Sequence, residues 1–306
     1  CTFVETKDVK VVLDAGVSLA PIRFGLPPHP REYDAIIKSR KIIEEKALDA
    51  DVVTISHYHF DHHTPFFIDW VCNWSSPEIA QKIYENKLIL LKNPKRSINF
   101  SQRRRGWLFA KTGGNYAKKL EAADGKTFRF GDTLLRFSEP VFHGSEDSSI
   151  GWVLTTTIEC ENEKVTCAPD VQGPMYDETL KMIVAEKPEL LIIGGPPVYL
   201  VDFRVTEAQI ENGMEHLKQL TANVPLIILE HHLLRTENWR ERSKVIFEAA
   251  QKVGNRVMSA AEFLGKEDNL LEARRKHLFE AEPPEEWFMK WTKISMPARK
   301  LVKPPF

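Results

Sequence analysis

The sequence predicts an α/β protein in which two β-sheets pack face to face with helices outside. Two β-rich runs, each followed by helices, carry that reading, and residue types that ligate metals recur where predicted strands end. The 306 residues, 42% of them hydrophobic, are long enough for a large core, as one big domain or two small ones.

The segments 1–6 and 9–14 read as a hairpin turned at Lys7-Asp8 and ending in Leu13-Asp14-Ala15-Gly16. A Pro-rich loop runs from Pro21 to Pro30. A helix then covers about Glu32 to Leu48, with Ile36, Ile37, Ile42, Ile43 and Leu48 near helical spacing. Asp51–Ile55 is a β-branched, apolar run and reads as a buried strand. Ser76-Pro77-Glu78 opens a second helix, with serine as the cap and proline where its missing N–H is not needed. Leu88–Leu91 is a short buried strand. From Thr127 the pattern is mostly strand: Thr127–Phe130, Thr133–Phe142, Ile150–Cys160 and Lys164–Ala168. Helices at about Met175–Glu186, Glu207–Leu220 and Trp239–Lys252 lead to strands at Glu189–Ile193, Pro225–Leu229 and Arg256–Met258. Residues 266–306 read as a mixed-charge helical tail packing on the domain formed by residues 1–265. The chain opens directly on a strand pattern at Cys1, so an edge strand is expected before it. Cys1 is read as structural because no base and orienting group accompany it.

Lys and Arg (42) nearly balance Asp and Glu (43), which excludes a general charge attraction to nucleic acid or membrane. No apolar run approaches the ~20 residues that span a bilayer, so no membrane partner is expected. Cys1, Cys72, Cys160 and Cys167 form no CxxC pair. Cys160 and Cys167 flank a predicted turn that could place them opposite each other across two strands, but free thiols in a reducing cytoplasm are the preferred reading.

The segment His57-Tyr58-His59-Phe60-Asp61-His62-His63 packs four histidines and an aspartate into seven positions directly after the 51–55 strand. Neutral imidazole is the commonest ligand for a transition metal, with carboxylate as its companion. Further candidates follow other predicted strands: Asp14, His143, Asp170, and the adjacent His231 and His232. Side chains at strand ends can converge at one sheet edge, where the scaffold fixes them. His63 is extra to this set and is read as a supporting or surface residue. His216 is read as a surface residue, and His29 and His277 do not fit the strand-end pattern. Gly194-Gly195-Pro196-Pro197 reads as a tight turn near the site, not as a phosphate loop.

His57-x-His59-x-Asp61-His62, followed in order by an isolated His, an isolated Asp and a final His, resembles the metallo-β-lactamase superfamily. The leading Leu13-Asp14-Ala15-Gly16 is similar to the segment that opens its motif series. The resemblance extends from Cys1 to about Phe263 and is strongest to an archaeal branch without an assigned substrate. It implies a four-layer αββα sandwich of two mixed sheets with two divalent metal ions at one edge. By position, His57, His59 and His143 would hold one ion, and Asp61, His62 and His231 the other, with Asp170 bridging. His232 replaces His231 if the register is one residue later. Asp14 would orient a ligand from behind. The all-nitrogen-and-oxygen set suits zinc foremost, with iron or manganese as alternatives. Such a pair activates a hydroxide for attack on a carbonyl carbon or a phosphorus, and Asp61 could hold the water's proton.

Residues 92–119 contain nine Lys and Arg and no Asp or Glu, interleaved with Phe100, Trp107, Phe109 and Tyr116. Arg103, Arg104, Arg105 and Lys111 are the candidate substrate-binding residues, because Arg clusters with aromatic platforms suit phosphates and unpaired bases. This window reads as a basic, aromatic insertion, and a solvated basic face with a few core-facing aromatics, which has the same composition, is the competing reading. The expected function is a metal-dependent hydrolase, with a phosphodiester or nucleic-acid substrate favoured. A small-molecule amide, lactone or thioester is the alternative, and a non-catalytic metal-containing module is the third reading. The partner is then a small-molecule or nucleic-acid substrate, and a homo-oligomer is open. An attached flavin domain is not expected, since the segment after the last predicted strand is only about forty residues.

Overall fold

Val11-Val12-Leu13, Val52-Val53 and Ile89-Leu90 are the apolar runs that parallel strands buried on both faces require. Each is a buried strand in the computed structural model, which describes residues 1–146 and 148–305. The chain divides into two units. The first comprises Cys1–Pro94, Phe100–Ala122 and the chain from Leu271 onward; the second comprises Lys95–Asn99 and Ala123–Leu270. Each contains one mixed sheet with its helices, as expected for the α/β class.

In the first unit, β1 (Thr2–Glu5), β2 (Lys10–Leu13), β3 (Val52–Ile55), β4 (Leu88–Leu91) and β5 (Lys119–Ala122) form a sheet in that order. β1 and β2 are the expected antiparallel hairpin, with Thr2 opposite Leu13, and the remaining neighbours are parallel. β5 was not anticipated. Lys119-Leu120-Glu121-Ala122 lacks β-branched residues and carries charge, which suits an edge strand but gives little strand signal. Its helices are α1 (Pro30–Asp49), α2 (Pro77–Tyr84) and α3 (Phe100–Lys111). Ser76 caps α2 as expected, accepting from the Ile79 amide. His29 caps α1 in a reciprocal box with Glu32, which gives this histidine a structural role. α3 occupies the middle of the basic window. Gly106 allows its close approach to the histidine loop, since a Cβ there would lie 2.7 Å from the Tyr58 ring.

In the second unit, β6 (Thr127–Phe130) and β7 (Thr133–Phe137) are antiparallel. The anticipated strand 133–142 breaks before Pro140, which cannot donate to a ladder. β8 (Val141–Phe142) and β9 (Trp152–Val153) form a separate small ladder. With β10 (Thr156–Cys160), β11 (Glu163–Ala168), β12 (Leu190–Gly194), β13 (Leu226–Glu230) and β14 (Arg256–Ser259), the main sheet has the order β14-β13-β12-β11-β10-β7-β6. β11 to β14 are parallel. Cys160 stands opposite Glu163 and Cys167 opposite Thr156, so the two do not face each other across the ladder, and no disulfide joins cysteines among the described residues.

The helices of this unit are α4 (Asp177–Glu186), α5 (Glu207–Asn223), α6 (His231–Leu234), α7 (Trp239–Arg242) and α8 (Lys244–Val253). The single helix expected over 239–252 is thus two, parted at Ser243. Leu191, Ile193, Ile227 and Leu229 of the sheet pack in one core with Leu180, Ile183, Leu217, Leu220 and Ile246 of α4, α5 and α8. His216, read from the sequence as a surface residue, is buried on α5, with Nδ1 3.0 Å from the Pro174 carbonyl. α5 carries it inward because it shares a face with Gly213, Leu217 and Leu220.

Residues 275–281, 286–292 and 296–300 form three short helices of the first unit. Phe288 and Trp291 join Tyr33, Ile36 and Val71 in a core cluster. Arg275, fully buried, reaches both oxygens of Glu32 at 2.7 Å and donates to the carbonyls of Ala20 and Leu26. Among the described residues, no helix is long and apolar enough to cross a membrane.

Candidate functional site

The first unit gathers Asp14, His57, His59, Asp61 and His62 at the ends of β2 and β3. Asp14 adopts a left-handed conformation (φ 55°), a backbone region that Asp tolerates better than most residues. Its Oδ1 accepts from the Ser56 amide at 2.7 Å, and its Oδ2 meets the Ser56 hydroxyl and His62 Nδ1 at 2.5 and 2.8 Å. The Ser56 hydroxyl also lies 3.0 Å from His57 Nδ1. His57 and His62 therefore have their Nδ1 atoms engaged by the chain, and their Nε2 atoms are the ones available for a metal.

His57 Nε2 and His59 Nδ1 are 3.0 Å apart. Two nitrogens bound to one tetrahedral ion at ~2.05 Å would be about 3.3 Å apart, so this pair needs little movement to chelate one ion. Ligand-type atoms of Asp14, His57 and His62 lie within 4.8 Å of one another, and Asp61 Oδ2 is 4.0 Å from His62 Nε2. The donor set is all nitrogen and oxygen and fits a borderline divalent ion.

The loop's backbone is held from two sides. A Cβ on Gly16 would fall 2.4 Å from the His63 amide and 2.5 Å from the Asp61 carbonyl, so only glycine lets the loop close over the β2 end. Arg40, buried on α1, donates to Thr64 Oγ1 and to the carbonyls of Val17 and Asn73. Thr64 in turn donates to the Ala15 carbonyl at 2.6 Å. His63 points into the core, with Nδ1 2.9 Å from the His59 carbonyl and aromatic contacts to Tyr58, Phe60 and Phe109. Burial lowers its pKa to about 3, so it stays neutral.

The second unit gathers His143, Asp170, His231 and His232. Asp170 follows β11, again with a left-handed backbone (φ 54°). His143 Nε2 lies 2.9 Å from its Oδ2, while His231 Nε2 and His232 Nε2 lie 2.9 and 3.1 Å from its Oδ1. Both adjacent histidines thus reach one carboxylate oxygen. They differ in setting: His231 is a quarter exposed, whereas His232 is buried and its Nδ1 is 3.3 Å from the Tyr199 hydroxyl, which Arg235 also contacts at 2.7 Å. Burial followed by the charge of His231 lowers the His232 pKa to about 4. Burial opposes protonation of His231 as well, but the Asp170 carboxylate outweighs it and raises His231 to about 9. The Gly194 turn lies against this group, since a Cβ there would be 3.4 Å from both the Asp170 amide and the His232 ring.

The proposed substrate residues do not act as a block. Arg103, Arg104 and Lys111 are exposed on α3. Arg105 turns inward: its guanidinium donates to the Tyr58 carbonyl at 3.2 Å and lies 4.7 Å from the Phe60 ring centroid. Burial lowers its pKa, and the Asp61 carboxylate pulls it back up. Sequence reasoning gave no role to Ser56, Arg40, Tyr199 and Arg235, and met Gly16 only as part of the Leu13–Gly16 segment. A serine beside a strand end carries no distinct signal, and the others act through contacts distant in the chain.

The chain is 43% identical over 277 residues to a UPF0282 protein of Methanopyrus kandleri, covering 90% of this chain and 93% of that one. It is 40% identical over 288 residues to a UPF0282 protein of Methanocaldococcus jannaschii, covering 94% of each. The chain belongs to the UPF0282 family. No family model matches it. Solved structures similar to it include one described as a metal-dependent hydrolase of the β-lactamase superfamily (TM-score 0.41, 12% identity, 72% of this chain and 82% of that one). Another is CmlA, a diiron β-hydroxylase from Streptomyces venezuelae (TM-score 0.48, 10% identity, 84% of this chain), of which the chain spans half the length.

Proposed function

We propose that the chain is a metal-dependent hydrolase of the metallo-β-lactamase type, acting in the cytoplasm on a phosphodiester bond. The observation that carries this reading is the presence of two His/Asp clusters of ligand-type atoms: in one, Asp14 engages His62 at Nδ1, and in the other the Nε2 atoms of His143, His231 and His232 converge within 3.1 Å on the Asp170 carboxylate. His57, His59, Asp61 and His62 from one cluster and His143, Asp170 and His231 from the other are the proposed ligands, with His232 as the alternative to His231. Two divalent ions, zinc foremost and iron or manganese otherwise, would supply Lewis acidity and bring the pKa of water from 15.7 toward ~7. Around them, Asp14 and Ser56 hold the imidazole rings in orientation. Asp61 offers the carboxylate oxygen that takes the attacking water's proton. Arg105 places a fixed positive charge beside Asp61, which favours an anionic substrate. Four cysteines with no disulfide among the described residues suit a reducing cytoplasm.

The test is turnover of bis(p-nitrophenyl) phosphate, p-nitrophenyl butyrate and a simple lactone by the protein loaded with zinc, manganese or iron. Diester cleavage that is lost in His59→Ala and Asp170→Ala supports the proposal. Cleavage of only the acyl substrates replaces it with the carboxyl-bond reading. Metal bound without any turnover replaces it with a binding module.

A further inference from the structure

We infer that the outer face of α3 is a binding surface for single-stranded nucleic acid. This deepens the phosphodiester reading by naming its substrate as a single-stranded polynucleotide. At ~100° per residue, Phe100, Arg103, Arg104, Trp107 and Lys111 fall within one arc of about 100°. Along the helix they alternate: aromatic, two cations, aromatic, cation. Gln102, Gly106 and Phe109 occupy the opposite, buried face.

Phe100 is 81% exposed and Trp107 60% exposed. Aromatic rings of this size rarely stand so far into water on a helix that has an apolar face to bury them. Among the described residues, Arg103, Arg104 and Lys111 have no carboxylate within ion-pair distance, unlike Lys119, which pairs with Glu121 at 2.6 Å. The stripe therefore presents unneutralised cations between open π-faces. Phosphates pair with the former and unpaired bases stack on the latter. A duplex hides its base faces, and the Asp and Glu of an acidic peptide have no rings to stack, so neither uses the whole pattern. The twelve residues of α3 extend about 18 Å, the length of about five nucleotides stacked at ~3.4 Å. Tyr116, stacked on Phe66 with centroids 5.4 Å apart, offers a further partly exposed ring in this unit.

The experiment titrates the full metal-loaded chain into a labelled twelve-nucleotide single strand, in DNA and RNA forms, and into the matching duplexes, at several salt concentrations. Single strands are expected to bind more tightly than duplexes. Trp107→Ala and Phe100→Ala should each weaken binding about tenfold, and Arg103→Glu with Arg104→Glu should abolish it. Each cation removed by neutral substitution should lower the slope of log affinity on log salt by about 0.7. Thermal melts check that the variants fold. If Trp107→Ala does not fold, Trp107→Phe keeps a stacking ring and should retain binding while losing the share of the tryptophan quenching expected from Trp107.

Absence of binding at low salt overturns the inference. So does equal affinity for duplex, heparin or polyglutamate with no effect of the aromatic changes, which would mark an ordinary basic surface. Diester turnover without oligonucleotide binding removes this surface and leaves the hydrolase reading standing; binding without turnover does the reverse.

Discussion

Asp14 Oδ2 lies 2.8 Å from Nδ1 of His62, so a buried carboxylate at the end of β2 fixes the imidazole that follows β3. The contact sets the tautomer: Nδ1 carries the proton, and Nε2 is left as the basic, ligating nitrogen. The same carboxylate holds the Ser56 amide and hydroxyl, so one side chain ties two strand ends to the histidine loop. Asp14→Asn is expected to weaken metal binding by 10–100-fold with little loss of helix and sheet content. Competition with a chelator measures this. Unchanged affinity would remove Asp14 from the account.

Gly16→Ala should disturb the loop directly, since the new methyl would overlap the backbone of Asp61 and His63. The expected cost is about 1–3 kcal/mol in denaturant stability, with lower metal occupancy of the purified protein. A variant with wild-type stability and full occupancy would show that the loop can yield there.

Arg40→Ala removes a buried donor from Thr64 Oγ1 and two carbonyls and should cost about 3 kcal/mol. Arg40→Lys should rescue little, because a single ammonium cannot reach three acceptors in a planar fork. Urea denaturation of both variants distinguishes this from a simple requirement for positive charge.

His63 gives a pH signature. Its folded pKa, about 3, lies below the ordinary 6.5, so the unfolded chain binds a proton that the folded chain refuses. Its contribution is complete above pH 6.5, declines as pH falls, and levels off near pH 3. By pH 5 the loss is about 2 kcal/mol. His63→Asn, which can keep a donor to the His59 carbonyl, should lose about that much less between pH 7 and pH 5. Identical pH profiles of urea midpoints for the two proteins would contradict the buried, neutral assignment.

The legible parts of this molecule were those in which chemistry is local. His57, His59, Asp61 and His62 share one loop behind a buried strand, and their spacing alone marks them. The capping serine of α2 and the hairpin of β1 and β2 are equally local. What stayed hidden depends on tertiary contact. Ser56 matters only because Asp14 lies across from it, and Tyr199 only because it meets the ring of His232. His216 and His29 looked idle because their carbonyl partners, on Pro174 and Glu282, lie 42 and 253 residues away. The basic window 92–119 concealed α3 and β5 because charge density masks periodicity, and only the folded helix separates inward Arg105 from outward Arg103 and Arg104.

The most direct test of the central claim is metal content per chain, measured by elemental analysis on protein purified without chelator and after reloading. Near two ions per wild-type chain, falling sharply in His59→Ala with Asp170→Ala, is the predicted result. Wild-type protein that stays at background after reloading would contradict the metal-dependent hydrolase account.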